Sequence, residues 1–403
     1  MGRLKSVLRI ALRCIKAVVI LVMMAVVATS TSLIYDFGKP LPFSGPDIFD
    51  PYRNIDSTHC WKKAVFHVHT RVEGIFNECD YWPGEVKEFL DRLGYDIVTF
   101  SNHNELTEHP SDSTLQVNVY EHGYNLFKFH KLVFGSEEVN RFDHLLPLFA
   151  SQWQFQFDML GKESDIIQFN HPLRTTGTTK RLMERVGGYD IMELDCGKST
   201  ENEYWDWALS AGHYSFGLAN DDLHYPDRSS RFAIRCSYLG AENTTKEDII
   251  AALKSGCYYS VRIPDYGAGD WELKRQKNME LPEVTNIGLR GDTIYMKLSA
   301  PAEQIRVIGQ NHTLLSRAMH SDSIAYTMQA DDAYARIVAS YPDSLIIMSN
   351  PFARYDSATM ASPADREFCT PNLWATALYN TIIVALLGIV VCCYVKILRR
   401  WRR

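Results

Sequence analysis

Acidic residues are missing from both ends of the chain, with no Asp or Glu before Asp36 or after Cys369. Ten of the 42 basic residues lie in these two tails, which leaves 32 basic against 48 acidic residues between them. The middle region therefore carries a net charge of −16 and repels polyanions. Because no basic track is visible either, we expect no bulk nucleic-acid binding and favour a small soluble substrate.

Two long apolar runs without charge lie next to these basic tails, at residues 17–35 and 374–395. Each is long enough to cross a bilayer as a helix. The basic flanks predict that both termini are cytoplasmic and that the region between the runs is extracytoplasmic, periplasmic or extracellular. A cleaved signal peptide, cut near residues 28–32, is the alternative for the first run. The second run would still anchor the protein.

Cysteine occurs nine times, but no pair has the spacing of a zinc ribbon. Cys14, Cys392 and Cys393 lie in or beside the apolar runs. The other six would face an oxidising compartment, where they permit fifteen complete pairings, and the sequence does not choose among these. These six are Cys60, Cys79, Cys196, Cys236, Cys257 and Cys369.

Between the tails, strand patterns alternate with helical patterns, and 46% of the chain is hydrophobic. Alternation of this kind predicts a parallel sheet, and about seven units suggest a closed barrel. The predicted strands are residues 65–69, 97–101, 132–136, 145–150, 166–170, 191–194 and 214–219. The predicted helices are residues 83–94, 178–186, 201–211 and 245–255.

The pattern becomes antiparallel β after the last of these helices, and polar segments flank the folded region. We therefore predict a barrel at 61–275 and a small β-module at 284–352. Residues 36–60 and 353–373 are expected to be linkers. The remaining segments are a basic tail with transmembrane helix 1 at 1–35, transmembrane helix 2 at 374–395 and a basic tail at 396–403.

A short apolar run ends at two imidazoles, His67 and His69, in Val-Phe-His-Val-His-Thr. Alternation places both rings on one side of a strand. They are either two satisfied histidines of a half-buried strand or ligands of one or two metal ions. The rest of the chain favours ligands, because polar residues recur at the predicted strand ends.

Four of these polar residues, His69, His103, Glu137 and His171, are each 34 residues apart. A tetratricopeptide repeat is excluded because the segments carry strand patterns. The spacing instead fits a βα unit, whose carboxyl-terminal strand ends form one catalytic face. A buried group of imidazoles and carboxylates without a metal would be costly. Further strand-end residues are His67, His144, Glu193, Asp222 and His224.

The ordered set of His-x-His-Thr, a strand-end His followed by Asn, Gly-x-Glu, His, His-Pro and Asp-x-His resembles the polymerase and histidinol phosphatase (PHP) family over about residues 60–265. The resemblance implies an α/β fold, a distorted (β/α)7 TIM-like barrel, with two or three divalent ions of zinc, manganese or iron. It also implies that Glu137 bridges the ions. The implied ligands are His67, His69, His103, Glu137, His144, His171, Asp222 and His224.

Two positions depart from the family pattern. The acidic residue that often follows the first motif is absent, and Glu73 is our choice for its role, with Glu78 and Asp80 as alternatives. Asn102 stands where the family has Asp, so it brings a hydrogen bond without a charge.

These ligands predict a membrane-anchored phosphoesterase in which a metal-activated hydroxide cleaves a phosphomonoester or phosphodiester. Arg174 and Arg71 are candidate clamps for phosphate oxygens, or else form surface salt bridges. Two alternatives stay open, a non-catalytic metal-holding binding module and a metal-dependent hydrolase of a non-phosphate bond. Glu193 either supports a ligand or packs at a strand end. Four histidines without a motif are expected at the surface or in the core: His109, His122, His130 and His213.

Overall fold

The computed structural model describes residues 2–55, 60–74, 77–110, 117–195, 202–266 and 269–401, which form a mixed α/β fold. Its helices are α1 (Gly2–Ala28), α2 (Pro83–Asp91), α3 (Ala150–Gly161), α4 (Lys180–Met183), α5 (Glu203–Ser210), α6 (Lys246–Ser255), α7 (Trp271–Met279) and α8 (Leu373–Trp401). Its first strands are β1 (Tyr35–Phe37), β2 (Asp47–Phe49), β3 (Cys60–Val65), β4 (Ile97–Val98), β5 (Val119–His122), β6 (Lys131–Phe134), β7 (Ile166–Phe169), β8 (Ile191–Leu194) and β9 (Phe216–Ala219). The later strands are β10 (Arg235–Ala241), β11 (Tyr258–Arg262), β12 (Val284–Arg290), β13 (Thr293–Gly309), β14 (Thr313–Thr327), β15 (Tyr334–Ser340), β16 (Ile346–Ser349), β17 (Phe352–Tyr355) and β18 (Cys369–Pro371).

Two of the predicted helices begin where their sequences specify, although α2 ends at Asp91 and not at the predicted residue 94. Helix α2 has Pro83 in its first turn, and the side chain of Glu85 accepts a hydrogen bond from the Trp82 backbone N–H at 2.8 Å. The side chain of Thr245 caps the start of helix α6. Gly256 caps its end, with a φ of 76° that is costly for other residues.

Strands β5 to β9 form a five-stranded sheet in chain order. Strand β6 runs antiparallel to both β5 and β7, whereas β7, β8 and β9 are parallel. The predicted strand at 145–150 does not form, and α3 begins at Ala150 instead. Helix α3 packs Trp153 against Phe129 with ring centroids 4.0 Å apart, which buries both rings.

The second sheet has eleven strands and continues from the first region into the β-module. Its main path is β12-β13-β15-β16-β11-β10-β3-β4, in which only β3 and β4 are parallel. Because β11 pairs with β16, the module shares a sheet with the strands that carry the first motif.

The predicted closed barrel is not present as a continuous hydrogen-bonded ladder in the described part of the chain. Isolated bridges join Val68 to Leu223 and His103 to Glu121 across the gaps between the two sheets. Near one gap, the Ala219 N–H donates to the side chains of Ser237 and Ser260. The strands around these gaps are two to seven residues long and run in mixed directions. Side-chain hydrogen bonds therefore replace the backbone hydrogen bonds between strands there.

The two terminal helices contact each other, and the segments expected to be linkers contribute strands. Strand β1 pairs with β18, and β2 pairs with β17. Helix α1 ends at Ala28, earlier than the run predicted to residue 35, because the Ser30 hydroxyl bonds the Val26 carbonyl and Ser32 bonds Asn380 of α8. By length and composition alone, Ile10–Ala28 and Leu373–Arg399 could each span a membrane.

The eight described cysteines are all unpaired, and Cys196 lies outside the described residues.

Candidate metal centre

Glu121, the penultimate residue of β5, lies at the centre of a cluster of imidazoles. Its Oε1 is 3.2 Å from a ring nitrogen of His67, His130 and His171. Its Oε2 is 3.2 Å from Nε2 of His69 and 3.0 Å from Nε2 of His103. One buried carboxylate is thus shared by five imidazoles.

A second carboxylate, Asp222, lies in the loop after β9 and faces the rings of His67 and His69. Its Oδ1 is 3.0 Å from His67 Nε2 and 3.2 Å from His69 Nε2. The ring of His224 is tilted against the ring of His69, with centroids 4.4 Å apart. Asp222 and His171 both have positive φ, at 49° and 29°, and such strained backbone is typical of ligand sites.

Glu78 supplies a third carboxylate at the solvent side of the cluster. Its Oε2 lies 3.2 Å from His103 Nε2 and 3.4 Å from His69 Nδ1. Asn77 folds this loop back, because its side chain bonds the N–H of Val72 and the carbonyl of Gly74. Of the alternatives that the sequence left open, Glu78 is the one that reaches the cluster.

Glu193, at the end of the parallel strand β8, orients two of the imidazoles. Its Oε1 accepts a hydrogen bond from His67 Nδ1 at 2.7 Å, and its Oε2 accepts one from the His171 backbone N–H at 2.6 Å. The bond fixes the tautomer of His67 and directs Nε2 towards Glu121 and Asp222. Glu193 therefore supports the ligands rather than packing as an ordinary strand end.

The burial of the imidazoles and carboxylates in the cluster, and their opposite effects on one another's pKa values, are typical of a cation-binding site. Burial alone would lower the pKa of His67, but Asp222, Glu121 and Glu193 raise that pKa well above its ordinary value. Despite burial, which lowers the pKa of His69, the neighbouring carboxylates raise it to about 9. Burial favours the neutral acid in Glu121 and Asp222, yet the facing imidazoles hold both pKa values well below their ordinary range.

The donor set fits divalent cations. The donors form three groups that share members. Within each group, the ligand atoms all lie within 4.8 Å of one another. His67 Nε2, His69 Nδ1, His103 Nδ1 and His171 Nδ1 are buried without a hydrogen-bond partner among the described residues, although Nε2 of His67 faces two carboxylates and Nδ1 of His69 faces Glu78. Imidazole with carboxylate suits zinc, iron and manganese. The groups are His67, His69, Glu121 and Asp222; then His69, Glu78 and His103; then His103, Glu121 and His130.

Several residues proposed from the sequence lie together in this cluster. They are His67, His69, His103, His171, Asp222 and His224. Asn102 joins the two sides, because its side chain bonds the N–H and hydroxyl of Thr70. Arg174 also reaches the site, where its guanidinium contacts Asp222 Oδ2. Arg71 is exposed, and its guanidinium lies over the Trp82 ring, 5.1 Å from the centroid.

Glu137 is a correction, since the structure does not bring this exposed residue to the cluster. If β6 were parallel to its neighbours, as the sequence pattern predicts, the residues after its carboxyl end would lie at the face that carries the cluster. Because β6 is antiparallel, Glu137 follows its far end, and His130 precedes the end that lies beside the cluster. Glu121, and not Glu137, is the carboxylate that several imidazoles share.

His144 and Glu73 are likewise not brought to the cluster. His144 is buried beside α3, where its Nε2 bonds the Thr31 carbonyl at 3.0 Å and its Nδ1 bonds Gln156 at 3.0 Å. Both ring nitrogens are therefore engaged elsewhere. Glu73 is exposed and belongs to none of the three donor groups found among the described residues.

Two donors, Glu121 and His130, were not proposed from the sequence. Glu121 follows Val-Asn-Val-Tyr, a short alternating run that signals a strand but was not assigned as one. His130 had no motif, and only the direction of β6 identifies it. Its place in a donor group is a second correction, because we expected it at the surface or in the core.

The cluster opens into a cleft of about 570 Å3. Its walls include Thr70, Glu78, His103, Tyr124 and His130. A cleft of this volume is within the range of small-molecule binding sites.

The fold and these donors define a mixed α/β protein with a candidate divalent-metal site. No family model and no curated protein matches the chain. One similar solved structure is a two-domain protein containing a predicted PHP-like metal-dependent phosphoesterase from Bacteroides vulgatus, at 13% identity and a TM-score of 0.36, covering 79% of this chain and 91% of that one. Another is a lesion-specific endonuclease from Pyrococcus furiosus, at 16% identity and a TM-score of 0.35, covering 48% of this chain and 56% of that one. Both similarities are low.

Proposed function

We propose that the chain is a membrane-anchored, metal-dependent phosphoesterase that hydrolyses a phosphomonoester or phosphodiester. The observation that carries this proposal is Glu121, whose two oxygens lie within 3.2 Å of five imidazoles. The two or three ions are zinc, manganese or iron. Divalent cations in such a site supply a water nucleophile active at neutral pH and positive charge for phosphate oxygens.

The residues of the chain have distinct roles in this reaction. Glu121, which is buried, and Asp222, whose side chain is 10% exposed, hold the charge of the site where few waters compete. Glu193 fixes His67 and the backbone of His171, so the donors are oriented before substrate binds.

Arg174 is the cation that favours a phosphate ester over other electrophiles. Its guanidinium contacts Asp222 at the cluster while remaining partly exposed, so a phosphate held by ions at the cluster would lie beside it. A planar guanidinium binds two phosphate oxygens at once. Arg71 is the second candidate clamp of the sequence analysis, and its stacking on Trp82 makes it the weaker one.

Anchoring rests on the two apolar helices and their flanks. With basic residues at both ends of the chain and an acidic middle region, we place the termini in the cytoplasm and the metal centre on the extracytoplasmic side. Reporter fusions at each terminus test this topology, and a cytoplasmic metal domain would overturn it.

The experiment for the activity uses the full chain in detergent micelles. Metal content is measured by elemental analysis, and turnover is measured with chromogenic phosphate mono- and diesters. We expect two or three equivalents of transition metal and turnover that is lost in His67→Ala. His320→Ala, on the exposed surface of β14, is the matched control and should keep both. Full metal with no turnover of any ester would favour the non-catalytic binding module.

A further inference from the structure

Three large apolar side chains of the folded region are exposed near the ends of α1 and α8. They are Leu126, Leu148 and Phe149, with 71%, 61% and 54% of their surfaces accessible. Apolar residues exposed together mark a contact surface for a protein or a membrane. We call these three residues the apolar rim.

Contacts with the terminal helices place the apolar rim beside them. Between Leu126 and Leu148, Leu145 donates its N–H to the Thr29 side chain, one residue after α1. The ring of Phe149 packs edge-on against Tyr379 of α8 with centroids 6.5 Å apart.

The outer end of α8 marks the level of a membrane surface. Trp374 is 89% exposed there, and Trp is typical of the membrane–water interface. Tyr379 lies about 7.5 Å further along the helix at 1.5 Å per residue. Because Phe149 contacts Tyr379, the apolar rim lies where the lipid headgroups meet the acyl chains in a bilayer that holds α1 and α8.

The apolar rim is also continuous with the cleft of the metal centre. Leu126 donates its N–H to the Leu145 carbonyl at 3.0 Å, and the two residues before it, Tyr124 and Asn125, line the cleft. The exposed Tyr124 ring stacks beside the metal-site residue His103, with centroids 6.4 Å apart. A path along the protein surface therefore runs from the headgroup level to the metals.

Basic residues border the apolar rim although the domain as a whole is acidic. Arg181 and Arg185 line a cavity of about 210 Å3 together with Leu148 and Phe149. Arginine beside exposed apolar side chains matches the chemistry of anionic lipid headgroups.

We propose that the substrate is a phosphate ester carried by a lipid of the bilayer that holds α1 and α8, and that it reaches the metal centre along the apolar rim. This inference rests on the proposed function, and it replaces the small soluble substrate that the net charge favoured. In the reaction, the oxygen of water bonds to phosphorus, the ester P–O bond breaks, and the departing oxygen takes a proton.

The test reconstitutes the full chain into vesicles and compares lipid esters with a water-soluble ester. The lipid probes are phosphatidic acid, phosphatidylglycerol and a polyprenyl phosphate, and the soluble probes are the nitrophenyl mono- and diesters. We expect at least one lipid ester in the same vesicle to be hydrolysed at least about tenfold faster than in separate vesicles. Its rate should follow its mole fraction in the bilayer.

The outcomes separate this inference from the proposed function. Turnover of a soluble ester without faster turnover of any lipid ester in the same vesicle would overturn the lipid substrate alone. Absence of turnover of every ester would overturn the phosphoesterase itself, and the lipid substrate with it.

A matched pair of variants tests the path. In Leu126→Ser/Leu148→Ser/Phe149→Ser, the ratio of lipid-ester to soluble-ester turnover should fall at least tenfold. In Leu314→Ser/Met319→Ser, which removes two exposed apolar side chains of β14, that ratio should not change. Because soluble-ester turnover reports folding in each variant, an unchanged ratio in the triple variant contradicts the path.

Discussion

The carboxylate of Glu193 accepts a hydrogen bond from Nδ1 of His67 at 2.7 Å, with both side chains fully buried. The other ring nitrogen of His67 then faces Glu121 and Asp222. A carboxylate behind a metal-binding imidazole sets the ring's orientation and raises its basicity. Glu193 would thus act on a bound metal ion through His67.

Glu193→Gln should weaken metal binding by about 10- to 100-fold while the fold is kept. The amide preserves shape but loses the charge that strengthens His67 as a ligand. Competition with a metal-sensitive dye measures the affinity directly. Glu163→Gln, whose native side chain bonds Asn140 at the surface, is the control. Equal affinity in both variants would refute the role given to Glu193.

Glu121→Gln should remove metal and activity together, because Glu121 belongs to two of the three donor groups. We expect metal affinity and ester turnover each to fall by at least about 100-fold. Glu137→Gln is the matched control, since the sequence suggested Glu137 for the same role and the structure leaves it exposed. Elemental analysis and ester turnover are the measurements. If Glu137→Gln lost metal and Glu121→Gln kept it, the cluster described here would be wrong.

The direction of a single strand explains why the sequence predicted some ligands and missed others. The motif around His67 and His69 follows β3, and His171 follows β7, so both lie at ends that a parallel arrangement predicts. Strand β6 has the same composition as a parallel strand, but its reversed direction moves Glu137 away and brings His130 in. Strand direction depends on pairing partners, which local patterns do not contain.

Loops limited the prediction in a second way. Glu73 and Glu78 lie in one irregular segment, and no period relates their side chains to the strand before them. The Asn77 side chain decides between them by closing the turn before Glu78. The start of the helix at Pro83 and both ends of the helix after Thr245 were accessible from sequence, because caps and glycines act locally, whereas α2 ends at Asp91, three residues before the predicted end.

Removal of metal by a chelator should destabilise the protein as well as inactivate it. Ions that bind the folded donors but not the unfolded chain stabilise by about 3 kcal/mol at a free concentration 100 times Kd. Buried carboxylates such as Glu121 then lose the cations that offset their burial. Thermal unfolding with and without chelator, followed by readdition of each metal, measures the effect. An unchanged Tm would exclude ions from the cluster.

The β-module is tied to α5 by a buried ion pair between Arg336 and Asp206. The guanidinium donates two hydrogen bonds, at 2.9 and 2.5 Å, and Tyr334 donates a third to the same carboxylate at 2.9 Å. Arg336→Met should destabilise by about 3–5 kcal/mol, because Asp206 keeps a buried charge. Arg317→Met, at an exposed position of β14, should change stability by less than about 0.5 kcal/mol. Denaturant unfolding of both variants measures the difference, and equal stabilities would refute this role.

His213, in the turn between α5 and β9, should make stability depend on pH independently of the metals. Burial lowers the pKa of His213 to about 4 from its ordinary 6.5, and nearby Arg366 adds to the shift. Its ring packs edge-on against Phe368 with centroids 4.7 Å apart, so the folded state holds the neutral form.

The unfolded chain therefore binds a proton at His213 before the folded chain does. Its contribution to stability is fully present above pH 6.5 and is lost as the pH falls towards 4, by about 3 kcal/mol in all. His213→Gln should be less sensitive to acid over this range by that amount. The measurement is urea unfolding of both proteins at a series of pH values, each with the same metal loading, so that protonation of the metal-site imidazoles cancels in the difference. A difference in stability that stays constant from pH 7 to 4 would show that His213 does not titrate in this way.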